Sequence, residues 1–443
     1  MTGNEIITWI TTPAAAAIFE NLYGVEGVER ARKRYTALAE GMLRGFSPED
    51  FPETRGNLRV FTAPGRTELG GNHTDHNQGK VLAASIQLDA AALAAPREDN
   101  QVLFRSTGYP DVAVDISDLS VNPHEKDTTE ALVRGVAAEL VRRGVRLRGF
   151  TANADSAVVP GSGLSSSATM EVLLGRIFDT LYGTEKRSAL ELAQIGQKAE
   201  NIYFGKPSGL MDQVACATGG AVAIDFADVN DPRVQAITFD LTSCGYTLCV
   251  VNTHGSHADL TPDYAAIPAE MKAVAAFFGK PILREVTADM VLSHGAELRK
   301  IAGDRAVLRA LHYFNENQRV EAMGTALKAV AAASEHREKQ GELARYLALV
   351  NESGDSSWEL LQNVYSPQNP REQGVSLALA VTRRFLQGAG ACRVHGGGFA
   401  GTIQAYIPLD TLDQYRKRME DIFGSGAVTV LQIRPIGTEE LVF

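Results

Sequence analysis

This chain is short of the features that mark several large protein classes. Its four cysteines, Cys216, Cys244, Cys249 and Cys392, include no C-x-x-C pair. That excludes a disulfide framework and leaves reduced thiols in a cytoplasmic protein as the simplest reading. No run of eighteen apolar residues occurs, and the N-terminus lacks a basic stretch followed by an apolar core. Neither a membrane span nor a secretory leader is expected. Basic residues are in deficit, 43 Lys and Arg against 53 Asp and Glu, for a formal net charge of −10. This argues against nucleic acid or an anionic membrane as the main partner, although a few local Arg or Lys can still serve an anionic substrate. Repeats, low-complexity tracts and a flexible linker are missing too. So is the phosphate-loop pattern G-x-x-x-x-G-K-[ST].

What is present is a globular composition, 44% hydrophobic and 22% charged, over 443 residues. That length exceeds one ordinary core and predicts two domains. Residues 1–50 read as helical. A strand-like run at 58–62 enters A-P-G-R, and 81–95 reads as buried strand. Helices are expected over 129–143, 165–181, 188–202 and most of 268–362, and again at 375–386. Strands are expected at 221–226, 246–252, 401–407 and 427–433. Strands and helices interleaved in this way predict an α+β fold.

Residues 160–169 read PGSGLSSSAT, a glycine-rich turn running into three serines and then an amphipathic helix. Met170, Leu173, Leu174, Ile177, Phe178 and Leu181 share one face of that helix. Glycines allow close backbone approach, and a helix N-terminus offers unpaired N–H groups to an anion. The stretch therefore reads as a phosphate cradle, against the plainer alternative of a turn with good caps.

Three more constellations accompany it. Residues 65–77, GRTELGGNHTDHN, gather Asn, His and Asp side chains that suit a polyol, whose hydroxyls each need a donor and an acceptor. A metal site there, or at the H-x-x-H pair His254 and His257, lacks an established zinc spacing. Glu200 and Asp212, in AENIYFGKPSGLMDQ, are two carboxylates flanking a glycine turn. One would ligate Mg²⁺ and the other would accept a proton from an attacking hydroxyl, with a pair of solvated acids as the plainer reading. Residues 396–401 satisfy G-x-G-x-x-G, but the sequence that follows alternates like a strand, so a dinucleotide loop is refused.

The order P-G-R-x-x-x-x-G-x-H-T-D, then P-x-x-G-L-S-S-S-A, then G-G-G-F-x-G resembles the GHMP superfamily of small-molecule kinases. G-L-M-D-Q and the first motif are most similar to the galactokinases. The resemblance spans roughly residues 58–405. It implies a two-domain GHMP fold: an N-terminal ribosomal-protein-S5-like α/β domain and a C-terminal ferredoxin-like α+β domain, with the active site in the cleft between them. Residues 1–190 would hold the sugar and phosphate loops. Residues 191–443 would form the second domain, with its last strand returning to the first.

The implied activity is ATP-dependent phosphorylation of the anomeric hydroxyl of galactose or a similar sugar. By this resemblance Gly161, Ser162, Gly163, Leu164, Ser165, Ser166 and Ser167 hold the nucleotide phosphates, while Ser166 and Glu200 hold Mg²⁺. Asp212 serves as base and Arg66 stabilises the transferring phosphoryl. Asn72, His73, Asp75, Gly209, Asp212 and Tyr264 bind the sugar. The implied protein is a monomer, partnered only by sugar and ATP.

The sequence departs from the family in places. Glu68 stands where Asn is usual, Asn72 where Glu is usual and His76 where Tyr is usual. Paired arginines after Tyr264 are missing, and residues 363–370 differ. An amide at position 72 removes a like-charge clash with a carboxylate at C6, which admits galacturonate or N-acetylgalactosamine as substrate. A silent sugar and ATP sensor is a further alternative, although the serine loop and Asp212 are both intact. A metal-dependent hydrolase built on the histidine pairs is another. Superfamily members acting on mevalonate or homoserine lack the H-T-D loop.

Overall fold

The computed structural model describes residues 1–47, 51, 57–159, 163–255, 260–399 and 401–442. Three helices open the chain: α1 (Gly3–Ile10), α2 (Pro13–Tyr23) and α3 (Val28–Gly45). The first two start where the sequence supplies caps. Thr2 and Glu5 form a capping box, and the Thr12 hydroxyl accepts from the Ala15 amide ahead of Pro13.

The larger sheet follows, with β1 (Arg59–Gly70), β2 (Lys80–Pro96), β3 (Gln101–Ser106), β4 (Val112–Asp115) and β5 (Phe150–Ser156). With β12 (Glu439–Leu441) its order is β12-β1-β2-β5-β3-β4. β6 (Ala221–Asp225) pairs with the first part of β2, and β7 (Arg233–Ile237) pairs with β6, so this sheet extends well past residue 190. Helices α4 (Thr129–Arg142), α5 (Ser166–Tyr182), α6 (Ala189–Lys198) and α7 (Met211–Thr218) pack on one face.

β2 explains its own unbroken apolar run. Ala90, Ala92 and Ala94 face the α4–α7 layer, while Ala91, Leu93 and Ala95 face the N-terminal helices. Buried on both sides, the strand has no reason to alternate.

The second sheet has order β11-β8-β10-β9 and is antiparallel throughout. Its strands are β8 (Tyr246–Asn252), β9 (Ala391–Val394), β10 (Thr402–Pro408) and β11 (Val428–Leu431). Around it lie α8 (Thr261–Phe277), the short α9 (Ala288–Ser293) and α10 (Gly295–Ile301), and the long pair α11 (Asp304–Ala332) and α12 (His336–Ser356). α13 (Gly374–Leu386) and α14 (Leu412–Phe423) complete the layer. The two sheets share a core, since Leu82 and Ile86 of β2 cluster with Leu248, Val250, Met323, Leu327 and Tyr346.

Two elements differ from expectation. β1 does not end before the polar motif but runs on through Arg66 and Glu68, with register shifts between Pro64 and Arg66 and between Glu68 and Gly70. The helix expected over 188–202 changes winding at Ala199–Phe204 into a π-helical turn that carries Glu200, a device frequent at functional sites. Among the described residues no helix is long and apolar enough to cross a membrane, and all four cysteines are buried and free.

Candidate active site

Arg66 projects from β1 at the first of its two irregularities. Its Nε and Nη2 donate to the two carboxylate oxygens of Asp212, each at 2.7 Å, in a planar fork. Its Nη1 donates to the Gly163 carbonyl at 2.5 Å, and its backbone N–H donates to the Leu164 carbonyl at 3.1 Å. One residue of β1 therefore fastens the serine loop and Asp212 to the same spot. Asp212 lies in the first turn of α7, where the helix dipole favours a carboxylate. Burial works to raise its pKa, but the Arg66 guanidinium and the hydrogen bonds from Arg66 and Ser165 outweigh it. The carboxyl sits below its usual range and is an anion at neutral pH. Its side chain keeps 31% exposure.

Gly161 and Ser162 lie outside the described residues. Gly163 and Ser165 both adopt the left-handed region, with φ of 74° and 62°. Ser165 occupies the N-cap position of α5 but does not cap it; its hydroxyl donates to Asp212 instead. The first N–H groups of α5 are thereby left without a side-chain cap, which suits an anion. Leu164 is buried, and Ser166 opens the helix.

Ser167, one position beyond the Ser166 expected beside a cation, is the serine that meets Glu200, donating to Oε1 at 2.8 Å. Glu200 is 2% exposed and also accepts from Lys206 Nζ at 2.9 Å, Ser208 Oγ at 2.5 Å and Gln213 Nε2 at 3.0 Å. Gln213 reaches further, to Glu171, at 2.9 Å. Burial first, and the Glu200 charge second, push the Glu171 pKa well above the carboxylate range, so Glu171 is a neutral acid beneath the site. A buried carboxylate with an adjacent hydroxyl is a hard-oxygen donor set that fits Mg²⁺. Among the described residues no group of three or more His, Cys, Asp or Glu forms a metal cluster; His257 lies outside them.

The polyol loop meets the triple-glycine turn. His73, at φ 58°, hydrogen-bonds through Nε2 to the Gly397 carbonyl at 3.0 Å. Burial, then the neighbouring His76, push its pKa down to about 4, so the ring is neutral and Nε2 carries the donated proton. Tyr264, in the first turn of α8, donates to the Gly398 carbonyl at 2.9 Å. Gly398 has φ 83°, and a Cβ there would lie 2.1 Å from the Asn363 carbonyl oxygen, so only glycine fits. The Phe399 amide donates to that same oxygen at 2.5 Å. Asp75 accepts from the His76 amide at 3.0 Å, and its other oxygen lies over Gly209.

Asn72 is buried and its amide is fully engaged. Nδ2 donates to Glu68 at 3.1 Å and to the Gly396 carbonyl at 2.7 Å, while Oδ1 accepts from Asn363 at 2.7 Å. Glu68 in turn accepts from the fully buried Arg393 at 2.5 Å. The two departures at 68 and 72 are thus one reciprocal exchange. An acid and an amide still touch, but the charge lies on the β1 side, against Arg393.

Sequence reasoning did not find Asn363, Arg393, Lys206, Ser208, Gln213 or Glu171. A signal existed for the first, because residues 363–370 differ from the family. The structure sets that segment against the other departures: Asn363 bonds Asn72, and Ser366 donates to Asp263, beside Tyr264, at 2.6 Å.

Comparison with known proteins agrees with this geometry. Residues 131–220 match the GHMP kinases N terminal domain, and residues 49–96 match the galactokinase galactose-binding signature. The galactokinase of Mannheimia succiniciproducens is 32% identical over 82% of this chain and 89% of its own length. That of Streptomyces coelicolor is 30% identical over 83% and 89%. Among solved structures, Lactococcus lactis galactokinase complexed with galactose superposes with a TM-score of 0.74 at 26% identity, covering 91% of this chain and 99% of that one. Mevalonate kinase of Methanococcus jannaschii, at 12% identity and a TM-score of 0.57, shares the fold alone. With curated galactokinases similar over more than four-fifths of its length, on a shared GHMP architecture, the chain belongs to the galactokinase family and is a sugar kinase.

Proposed function

We propose that the protein transfers the γ-phosphoryl group of ATP to the anomeric hydroxyl of galactose or a closely similar sugar. The observation that carries this reading is the Arg66–Asp212 fork, set between the serine loop and the His73–Asp75 loop. A sugar seated against His73, Asp75 and Tyr264 turns its C1 hydroxyl to Asp212, which accepts the O–H hydrogen bond. The oxygen attacks the γ-phosphorus, the bond to the bridging oxygen of ADP breaks, and the proton passes to Asp212. A carboxylate held below its usual range is a weak base. Its main contribution is to orient the hydroxyl, with proton transfer late along a loose transition state. Arg66 faces the charge that builds on the transferring group. Glu200 and Ser167 would hold Mg²⁺, with Ser166 opening the same helical turn; when bound, the cation neutralises phosphate oxygens.

The test is ADP release across galactose, N-acetylgalactosamine, galacturonate, arabinose and fucose. Turnover is expected with galactose-configured sugars. No ADP from any of them, alongside calorimetric sugar binding, would instead make the protein a sensor. A second reading rests on the Glu68–Asn72 exchange, which leaves a neutral amide where the family carries an acid. If galacturonate outpaces galactose in the same assay, the uronic acid is the substrate.

Gly209→Ala tests the sugar half. A Cβ at Gly209 would lie 2.2 Å from Asp75 Oδ2, so the carboxylate must move. The KM for sugar is expected to rise about tenfold or more, near 1.4 kcal/mol, with the KM for ATP little changed. Equal shifts in both would place Asp75 outside the sugar pocket.

A further inference from the structure

Lys206 has no role in the chemistry above, yet it touches the centre of the proposed cation site. It follows Gly205, which holds φ 84°, and precedes Pro207, so its backbone is tightly defined. Its side chain is 56% exposed, while Glu200 at the other end of the contact is 2% exposed. The ammonium lies 2.9 Å from Glu200 Oε1, the same oxygen to which Ser167 donates. The other oxygen is held by Ser208 and Gln213, neither of which brings charge.

Other cations nearby are committed elsewhere: Arg66 is forked onto Asp212. Lys206 is therefore the cation that balances the buried Glu200 carboxylate, and it does so from the solvent side on a flexible stem.

From this geometry we propose that Lys206 is a movable internal counter-ion. It closes the Glu200 charge when no divalent cation is held there, and it turns to the nucleotide phosphates when one takes Oε1. A divalent ion and an ammonium cannot share one carboxylate oxygen without strong like-charge repulsion. The ammonium must leave, and a polyphosphate lying along the N-terminus of α5 is the anion within reach of its four-carbon stem. The proposal rests on the ATP-dependent reading of the site. It adds that this chain tolerates metal-free nucleotide, because the carboxylate facing the phosphates is already neutralised.

The experiment is calorimetric binding of ADP to the full chain, once with excess EDTA and once with saturating Mg²⁺, for wild type, Lys206→Met and Lys206→Arg. Lys206→Met keeps the stem and removes the charge. Its affinity for metal-free ADP is expected to fall at least tenfold, and its affinity for Mg·ADP to change less than threefold. Mg²⁺ titrated into its ADP complex should bind at lower concentration than in wild type, and Lys206→Arg should restore wild-type behaviour. Equal losses in EDTA and in Mg²⁺, or no loss in either, overturn the counter-ion role. Wild-type protein that binds ADP in neither condition overturns the nucleotide reading itself, and the counter-ion with it.

Discussion

Asp212→Asn is expected to lower kcat by about a thousandfold or more, with sugar and ADP still binding. A positioned base alone is worth about 10²–10⁴ in rate. Here the substitution does more than remove a base. The asparagine amide turns an NH₂ group toward Arg66, whose Nε and Nη2 are donors at 2.7 Å, so one arm of the fork becomes donor against donor. Arg66 loses its counter-charge in a buried place, and Ser165 loses the carboxylate that draws its hydroxyl away from the helix end. The damage therefore reaches the attacking hydroxyl, the charge on the transferring group and the shape of the phosphate loop together. Steady-state ADP release checks the rate, and calorimetry checks that binding survives. A kcat within tenfold of wild type would remove Asp212 from the reaction.

The same residue fixes the acid side of the pH profile. Activity needs the anion, and the folded pKa lies below the ordinary 3.8, so the rate stays level as pH falls toward 4 and drops only as it passes through that depressed value.

The second large effect concerns stability. Asp89 on β2 is fully buried and accepts from Arg34 at 2.5 Å, Arg434 at 2.9 Å, Tyr23 at 2.7 Å and the Thr62 hydroxyl. Those partners come from α3, the segment before β12, α2 and β1, so one carboxylate joins the N-terminal helices, the sheet and the returning chain. Asp89→Asn keeps the volume and leaves two buried guanidinium groups a charge short, which costs about 3–5 kcal/mol. Urea unfolding at neutral pH measures it, and a loss under 1 kcal/mol would contradict the account. Pairing Asp89→Asn with Arg434→Met should recover part of the loss, because the uncompensated cation goes too.

Burial raises the Asp89 pKa, yet Arg34 and Arg434 more than offset it and the folded value is depressed. The contribution is thus complete above the unfolded value near 3.8 and disappears as pH falls through the lower folded one. Wild type should lose more stability on acidification than Asp89→Asn.

The motifs that bind phosphate and polyol were readable because each is local: glycines beside serines, or His, Asp and Asn within one loop. The ends of β1 were not. Arg66, Thr67 and Glu68 look like loop residues, and they are tolerated in a buried strand only because distant partners meet them. Asp212 meets Arg66, Gln404 meets Thr67 at 2.8 Å and Arg393 meets Glu68. β5 was missed for the same reason. Its FTANADS sequence lacks the usual β-branched residues, and its polar members are taken up by the N-terminal helices: Asn153 donates to the Leu38 carbonyl at 2.9 Å, and Asp155 accepts from Arg34 at 2.6 Å. Long-range satisfaction of polar groups leaves no periodicity to read. Asn363 was hidden likewise, since what it bonds, Asn72, lies 291 residues earlier.

The pairing of β12 with β1 bears on how the enzyme is made. Arg59 and Glu440, joined across that pair at 2.7 Å, are separated by 381 positions. At roughly 10 residues per second, the strand that bears Arg66 leaves the ribosome about 40 s before its outer neighbour exists. Throughout that interval one edge of β1 offers bare N–H and C=O groups to any passing chain. Arg434, which seals Asp89, is made equally late. Assembly of the reactive centre is therefore a post-translational event, and heavy overexpression should overload this chain at that step before any other.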